Sequence, residues 1–335
     1  MRTKRYKSEV FFQKQIGSFV YRINLCIKLL LVTFIEGAGW RRLGISFALG
    51  MIGAFALPPV SIIPLLIPAF SGFFLLIISS RNVSKAISVG WWFGFGHFLV
   101  SCYWIGAGML TDPDKFAWLA VPAVIGLCGG LAFFPVLVSL TVYWLRLPGI
   151  FRVLLFSLVW MGGELLRGEI LTGFPMNPVG SSWVVSGPML QIVAIVGIYG
   201  LSFITVLCAI FPALLYDNWN KKFIYKKCLV LIVPVFILLF IWVGGTIRLT
   251  LEPEENVPKI KFMIVQANIS QQLKWGHESR KASLEKYKKI TLENLDREVT
   301  HVIWPETAVP YDISNDPSLA GWLSQVVPVN GLLFT

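Results

Sequence analysis

Charged side chains are scarce in this 335-residue chain. Asp, Glu, Lys and Arg make up 14% of the residues and hydrophobic residues make up 56%, whereas an ordinary soluble domain has about 25% charged residues. Mean hydropathy is +0.70. The scarcity of charge excludes an ordinary soluble domain and predicts a protein that crosses a membrane several times.

Cysteine and histidine are also few, with five and three residues. The cysteines lie in or beside apolar segments, where a free thiol behaves as a small hydrophobic side chain, and their spacing shows no disulfide framework. The histidines have no metal-ligand spacing. We therefore expect no metal site. The cysteines are Cys26, Cys102, Cys128, Cys208 and Cys228.

Long uncharged runs predict seven transmembrane helices, because one helix needs roughly 20 apolar residues to cross a bilayer. The run at 43–80 is too long for one helix, and Pro58, Pro59 and Pro64 divide it into a helical hairpin. A segment rich in Gly, Pro and Ser, 172–188, is predicted as a loop. The other five helices are expected at 86–111, 116–145, 151–167, 189–216 and 228–247.

The distribution of Lys and Arg predicts the orientation of these helices, because cytoplasmic loops retain basic residues. Basic residues concentrate in alternate loops, for example at Arg81 and Arg146, and in the N-terminal tail. We therefore expect a cytoplasmic N-terminus, a transmembrane domain at 43–248, and the opposite compartment for the residues that follow. This topology accounts for most of the +11 net charge, so nucleic-acid binding is not required.

Residues 1–42 are predicted as a basic cytoplasmic tail with an interfacial helix. Their apolar run is interrupted by Arg22, Lys28 and Glu36, and such a basic amphipathic stretch is typical of the membrane surface. The alternative is a further membrane span. That alternative would reverse the predicted orientation.

Residues 252–335 differ in composition, because charged residues return and the apolar segments shorten. Strands are expected at 260–265, 302–304 and 332–334, with helices at 279–298 and 317–327 between them. This alternation favours an α/β layer with parallel strands. Three strands are few for such a fold, so the domain is expected to be incomplete.

Three separated motifs resemble the apolipoprotein N-acyltransferase family. They are the helix sequence at 93–104, the sequence Glu-Leu-Leu-Arg-Gly at 164–168 followed by Thr-Gly-Phe-Pro at 172–175, and the sequence Trp-Pro-Glu-Thr-Ala-Val-Pro at 304–310. They occur in the order typical of the family, and the resemblance covers 43–335. It implies that residues 252–335 are the N-terminal part of a nitrilase-like (carbon-nitrogen hydrolase) domain.

The resemblance also implies a function. Members of this family of the bacterial inner membrane transfer an acyl chain from a phospholipid, through a Cys thioester, to the diacylglyceryl-cysteine at the N-terminus of an apolipoprotein, and they need no diffusible cofactor. Glu306 matches the general base of the catalytic triad, and Trp275 matches a tryptophan near the active site. Glu164 and Arg167 are candidate substrate-binding residues that can pair on one helical face, with a structural ion pair as the alternative.

The triad also needs a Lys and a Cys, which lie after the Glu in the family. Residues 307–335 contain no Lys, Arg or Cys. Cys102 lies in an apolar helix, where a thiol is a poor nucleophile, and is not a substitute. We therefore expect a chain that is truncated at its C-terminus and inactive alone, with a non-catalytic membrane remnant, a split-gene product or a lipid-binding partner as the alternatives.

Overall fold

The computed structural model describes residues 39–217, 224–251, 257–269, 277–306, 308–309, 311 and 317–335. The described residues divide into two compact units, the first within Met1–Gly108 and Trp118–Glu252 and the second within Met109–Ala117 and Pro253–Thr335. The interfacial helix predicted in the N-terminal tail lies outside the described residues, which include only residues 39–42 of that tail. The domain limits 43–248 and 252–335 stay a prediction.

Residues 39–251 are mostly helical where the structure describes them. Short 3₁₀ segments occupy Ile63–Leu65, Tyr103–Thr111, Val179–Val185 and Phe211–Ala213. The longer helices are α1 (Trp40–Ala54), α2 (Leu66–Ile78), α3 (Val83–Cys102), α4 (Pro113–Leu131), α5 (Phe133–Leu145), α6 (Gly149–Glu169), α7 (Val193–Ile210) and α8 (Ile224–Leu251).

Five helical segments of the described residues are long and apolar enough to cross a membrane. They overlap the last five predicted spans, so a membrane protein is confirmed at this level. The segments are Val83–Thr111, Pro113–Leu145, Gly149–Glu169, Val193–Ala213 and Leu229–Leu251.

The first predicted run forms two helices, α1 and α2, on either side of the Pro58-Pro59 peptide. They contain 15 and 13 residues, so each is about 20 Å long at 1.5 Å per residue. The hydrocarbon core of a bilayer is about 30 Å thick. The hairpin is thus observed, whereas the total of seven transmembrane helices stays a prediction.

Two predicted helices are less regular than their hydrophobicity suggests. The predicted helix at 116–145 is divided at Ala132 into α4 and α5, because Pro135 has no N–H to donate to the preceding turn. The predicted helix at 189–216 contains a kink at Gly197, whose φ of 69° lies in the left-handed region. Neither break is visible as a change in hydrophobicity.

Aromatic side chains form the core of the first unit. The rings of Phe73 and Phe93 stack at 4.0 Å, and Phe70 meets the edge of Trp160 at 4.7 Å. Helices α1 and α3 approach closely at Gly50, where a Cβ atom would lie 2.0 Å from the carbonyl oxygen of Phe93. Small residues allow such close packing between membrane helices. This core supports one end of the cavity described below.

The second unit contains a three-stranded parallel sheet in the order β1 (Phe262–Ile264), β2 (His301–Ile303), β3 (Leu332–Phe334). Helices α9 (His277–Asn294) and α10 (Pro317–Leu323) connect the strands. The predicted parallel arrangement is confirmed. On one face, Val302 is fully buried in a core shared with both helices, while Phe262 and Ile264 on the other face are exposed. That this unit is nitrilase-like stays a prediction.

Candidate functional site

Glu164 and Arg167 occupy the last two turns of α6 and lie on the same face of the helix, as their spacing predicts. Their side chains are 6% and 3% exposed. Both line a small cavity in the first unit. The other lining residues are His97, Phe98, Phe134, Pro135, Val138, Trp160, Gly163 and Asn177.

The carboxylate of Glu164 is held by two hydrogen bonds to one oxygen. Its Oε1 accepts from the indole Nε1 of Trp160 at 2.9 Å and from the backbone N–H of Val179 at 2.8 Å. Val179 begins a 3₁₀ segment, where backbone N–H groups have no partner within the helix and attract negative charge. The other oxygen, Oε2, is buried and has no hydrogen-bond partner among the described residues.

Arg167 is held mainly by aromatic rings. Its Cζ lies 5.2 Å from the ring centre of Phe98 and 5.7 Å from that of Phe174, distances at which a guanidinium is attracted to a ring face. Its buried Nη1 has no hydrogen-bond partner in the described part of the chain. The charges of Glu164 and Arg167 attract each other. Their direct contacts are with Trp160, a backbone amide and two aromatic rings.

The Thr-Gly-Phe-Pro motif places Phe174 against Arg167. The backbone N–H of Phe174 donates to the carbonyl of Arg167 at 2.7 Å, so the chain turns back over the end of α6. Gly173 has a φ of 78°, and a Cβ there would lie 2.4 Å from the carbonyl oxygen of Gly168. The sequences at 164–168 and 172–175 thus form one local structure.

His97 and Asn177 complete the cavity, and sequence reasoning missed both. The imidazole of His97 is 1% exposed, and its Nδ1 is buried without a partner among the residues described. Asn177 donates from Nδ2 to the carbonyl of Ser101 at 2.7 Å. For His97 the available signal was an ionisable residue inside an apolar membrane helix, which marks a functional site by default. Asn177 lies in a loop and gave no such signal.

Cys102 lies beside this cavity but does not line it. Its thiol is fully buried, 3.8 Å from Nδ2 of Asn177 and 3.7 Å from Oγ of Ser101. A nucleophile must reach its substrate. The burial of Cys102 agrees with its interpretation as a structural thiol.

The three unpartnered atoms define what the cavity can bind. Oε2 of Glu164 accepts hydrogen bonds, Nη1 of Arg167 donates them, and Nδ1 of His97 does either according to its tautomer. Buried polar atoms normally have partners, supplied by protein, water or ligand. The arrangement suits a small polar group that both donates and accepts.

Glu306 lies in the second unit, shortly after β2, and is exposed. The preceding Trp304 is buried, with its Nε1 donating to Oγ1 of Thr291 at 3.0 Å and its N–H donating to the carbonyl of Phe334 at 2.8 Å. Trp304 therefore anchors the chain where it leaves the sheet. Glu306 follows the carboxyl end of a parallel strand, the edge at which α/β folds place ligands. Trp275 lies outside the described residues.

Comparison with known proteins identifies the family. Residues 49–211, which contain the whole cavity lining, match the family model for the apolipoprotein N-acyltransferase N-terminal domain. This chain belongs to the apolipoprotein N-acyltransferase family. An apolipoprotein N-acyltransferase of Rhodopseudomonas palustris is 31% identical over 308 residues, which cover 89% of this chain and 57% of the relative.

Other members of the apolipoprotein N-acyltransferase family show similar sequence identity and coverage. The relative from Brucella melitensis is 32% identical over 83% of this chain and 54% of its own length. The relative from Rickettsia prowazekii is 34% identical over 80% of this chain and 53% of its own length. The chain thus spans a little over half the length of the curated relatives it matches.

Proposed function

We propose that this chain serves lipoprotein maturation, the transfer of an acyl chain from a phospholipid to the N-terminal diacylglyceryl-cysteine of apolipoproteins. The main support is the family match over residues 49–211, together with relatives that carry the name apolipoprotein N-acyltransferase. The apolar helices agree with an enzyme whose substrates are lipids. We place the protein in the bacterial inner membrane, where the acyl donor is present.

In this proposal Glu306 is the general base that takes the proton from a thiol as it becomes the acyl carrier. Its exposure at the end of β2 leaves the carboxylate accessible to a reacting group. A lysine stabilises the negatively charged oxygen of the tetrahedral intermediate. Residues 307–335 contain neither Lys nor Cys. We therefore expect the 335-residue chain by itself to form no acyl-enzyme.

Glu164 and Arg167 are proposed to bind a polar group of a lipid substrate, and Trp275 to contact substrate near Glu306. The unpartnered donor of Arg167 and the unpartnered acceptor of Glu164 support this role, because an ion pair that only stabilises the fold would satisfy both side chains. The surrounding aromatic residues suit the apolar part of such a ligand.

Lipid binding is tested first, with a phospholipid that carries a photoreactive group. Arg167→Gln removes the unpartnered charge and is expected to lower crosslinking to the first unit by roughly tenfold, as for a lost charged hydrogen bond. Glu169→Gln, on the exposed end of the same helix, is the matched control and should leave crosslinking unchanged. Equal crosslinking in both variants would exclude the cavity as a lipid site.

Acyl transfer is tested with membranes and a phospholipid that is labelled in its acyl chain. We expect no hydroxylamine-sensitive label on the 335-residue chain. If these residues are part of a longer polypeptide that contains the Lys and Cys, label should form on it and Glu306→Gln should abolish the label while sparing membrane insertion. Label on the 335-residue chain would contradict the assigned triad and direct attention to its membrane thiols.

Crosslinking without any label in either polypeptide would favour the alternative of a non-catalytic lipid-binding protein. The observation behind that alternative is the lack of Lys and Cys in residues 307–335.

The proposed orientation has the N-terminus in the cytoplasm and Glu306 in the periplasm. Its support is the concentration of Lys and Arg in alternate loops. Reporter fusions after Lys222 and after Glu255 should report opposite sides of the membrane. Reporters on the same side would refute this orientation.

A further inference from the structure

A second pocket lies where two apolar helices end and a third begins. It is formed by the C-terminal end of α2 and the residues after it, the C-terminal end of α5, and the first turn of α6. These are the boundaries of apolar segments, so the pocket lies at a membrane surface. The lining residues are Ile77, Ile78, Ser80, Val142, Tyr143, Arg146 and Arg152.

Two arginines of this pocket are positioned by the backbone. Nε of Arg146 donates to the carbonyl of Tyr143 at 3.2 Å, and its Cζ lies 4.9 Å from the ring centre of that tyrosine. Nε of Arg152 donates to the carbonyl of Leu147 at 2.6 Å. The Nη atoms of both arginines have no hydrogen-bond acceptor among the described residues. Two guanidinium groups are thus oriented with most of their donors available.

No carboxylate from the lining segments neutralises these charges. Residues 37–111 and 115–163, which include every lining residue, contain no Asp or Glu. The described lining of the pocket therefore carries two positive charges and no negative charge.

We propose that this pocket binds the phosphate group of an anionic phospholipid headgroup. The fork of N–H groups on arginine matches phosphate oxygens in geometry and charge. Basic pockets between transmembrane helices bind anionic headgroups in this way. The apolar side chains of Ile77, Ile78 and Val142 line the same pocket and suit the lipid chains next to the headgroup.

This pocket is distinct from the cavity at Glu164. Arg152 and Glu164 are twelve residues apart on α6, which corresponds to about 18 Å along the helix. The lipid bound at Arg146 and Arg152 is therefore a bound companion of the protein and not the acyl donor of the proposed reaction. Its binding does not depend on that reaction.

The test is binding of short-chain phosphatidylglycerol to the purified full chain in a neutral detergent. We expect it to bind more tightly than phosphatidylcholine of the same chain length, and to bind more weakly as salt screens the exposed charges. Arg146→Gln and Arg152→Gln should each weaken binding about fivefold. The double variant should weaken it about 25-fold, if the two effects are independent.

The matched control is the double variant Arg41→Gln/Lys85→Gln. Both residues are exposed and lie outside the pocket lining, so this variant removes the same charge while it leaves the site intact. It should change the affinity by less than about twofold. An equal loss in the control would show that only net charge matters, and would overturn the proposed site.

Two further tests compare ligands on the unmodified chain, so their results do not depend on whether an arginine-to-glutamine variant folds. Equal affinity of the unmodified chain for phosphatidylglycerol and phosphatidylcholine would overturn the proposal. Equal affinity for glycerol phosphate and phosphatidylglycerol would overturn the assignment to a lipid. It would show that the pocket recognises a free phosphate group. Arg146→Lys and Arg152→Lys keep the charge and lose the fork, and should still weaken binding several-fold.

Discussion

Replacement of Glu164 by alanine tests whether its carboxylate organises the cavity. Glu164→Ala removes the acceptor for two buried donors, Nε1 of Trp160 and the backbone N–H of Val179. Glu164→Gln also removes the negative charge, but keeps an oxygen where Oε1 accepts both hydrogen bonds. The difference in stability between the two variants therefore measures the contribution of the hydrogen bonds, because both variants lack the charge.

The magnitude follows from the burial of both donors, since Trp160 is 5% exposed and Val179 is fully buried. A buried donor left without a partner costs about 1–3 kcal/mol, so two such donors predict a difference of about 2–6 kcal/mol between the alanine and glutamine variants. For a domain of this size, a shift of about 2–4 °C in melting temperature per kcal/mol gives a difference of roughly 4–24 °C between the two variants.

Thermal unfolding of the purified chain in detergent, followed by tryptophan fluorescence, measures this difference. Glu169→Ala is the matched control, because Glu169 is exposed on the same helix and its removal should change stability by less than about 0.5 kcal/mol. Equal melting temperatures for Glu164→Ala and Glu164→Gln would refute the reasoning. They would show that the two donors find other partners, and that the carboxylate does not hold the loop against α6.

Three further predictions concern packing and charge. Gly50→Ala places a methyl group against a backbone oxygen of α3 and should destabilise the protein by about 1–3 kcal/mol. Gly44→Ala is the control, because Gly44 has open space around it and the added methyl group should not destabilise the protein. Thermal unfolding of both variants measures the difference. Trp304→Phe removes the hydrogen bond to Thr291 and should lower stability by about 1 kcal/mol, measured as faster hydrogen exchange in β2. Asp296 forms an ion pair with Lys261, whose Nζ donates to Oδ2 of Asp296 at 3.0 Å. The hydrogen bond and the charge of Lys261 hold the pKa of Asp296 below its usual range. Because the folded-state pKa is lowered, this ion pair stabilises the second unit above the pKa of unfolded Asp, about 3.9, and its contribution is lost as pH falls through the folded-state pKa. In Asp296→Asn, the acid-induced fall in melting temperature should be smaller; an unchanged fall would contradict the assignment.

Sequence patterns predicted the elements well where the signal is local. Hydrophobic runs located the five long apolar helices, and alternating strands and helices predicted the parallel sheet, with the third strand at 332–334 found at Leu332–Phe334. Hydrophobicity could not predict the lengths of α1 and α2. A continuous apolar run is compatible with several helix ends, and the positions of prolines and neighbouring helices decide among them.

Composition and motifs were enough to predict a membrane protein of the apolipoprotein N-acyltransferase family, because both can be read directly from the chain. Which polar groups contact one another depends instead on how the chain folds. Asn177 and Ser101 are 76 residues apart and share a hydrogen bond, and His97 on α3 lines the same cavity as Glu164 on α6. Such contacts depend on how helices pack, and packing is set by shape and close approach between distant segments, which no local pattern encodes.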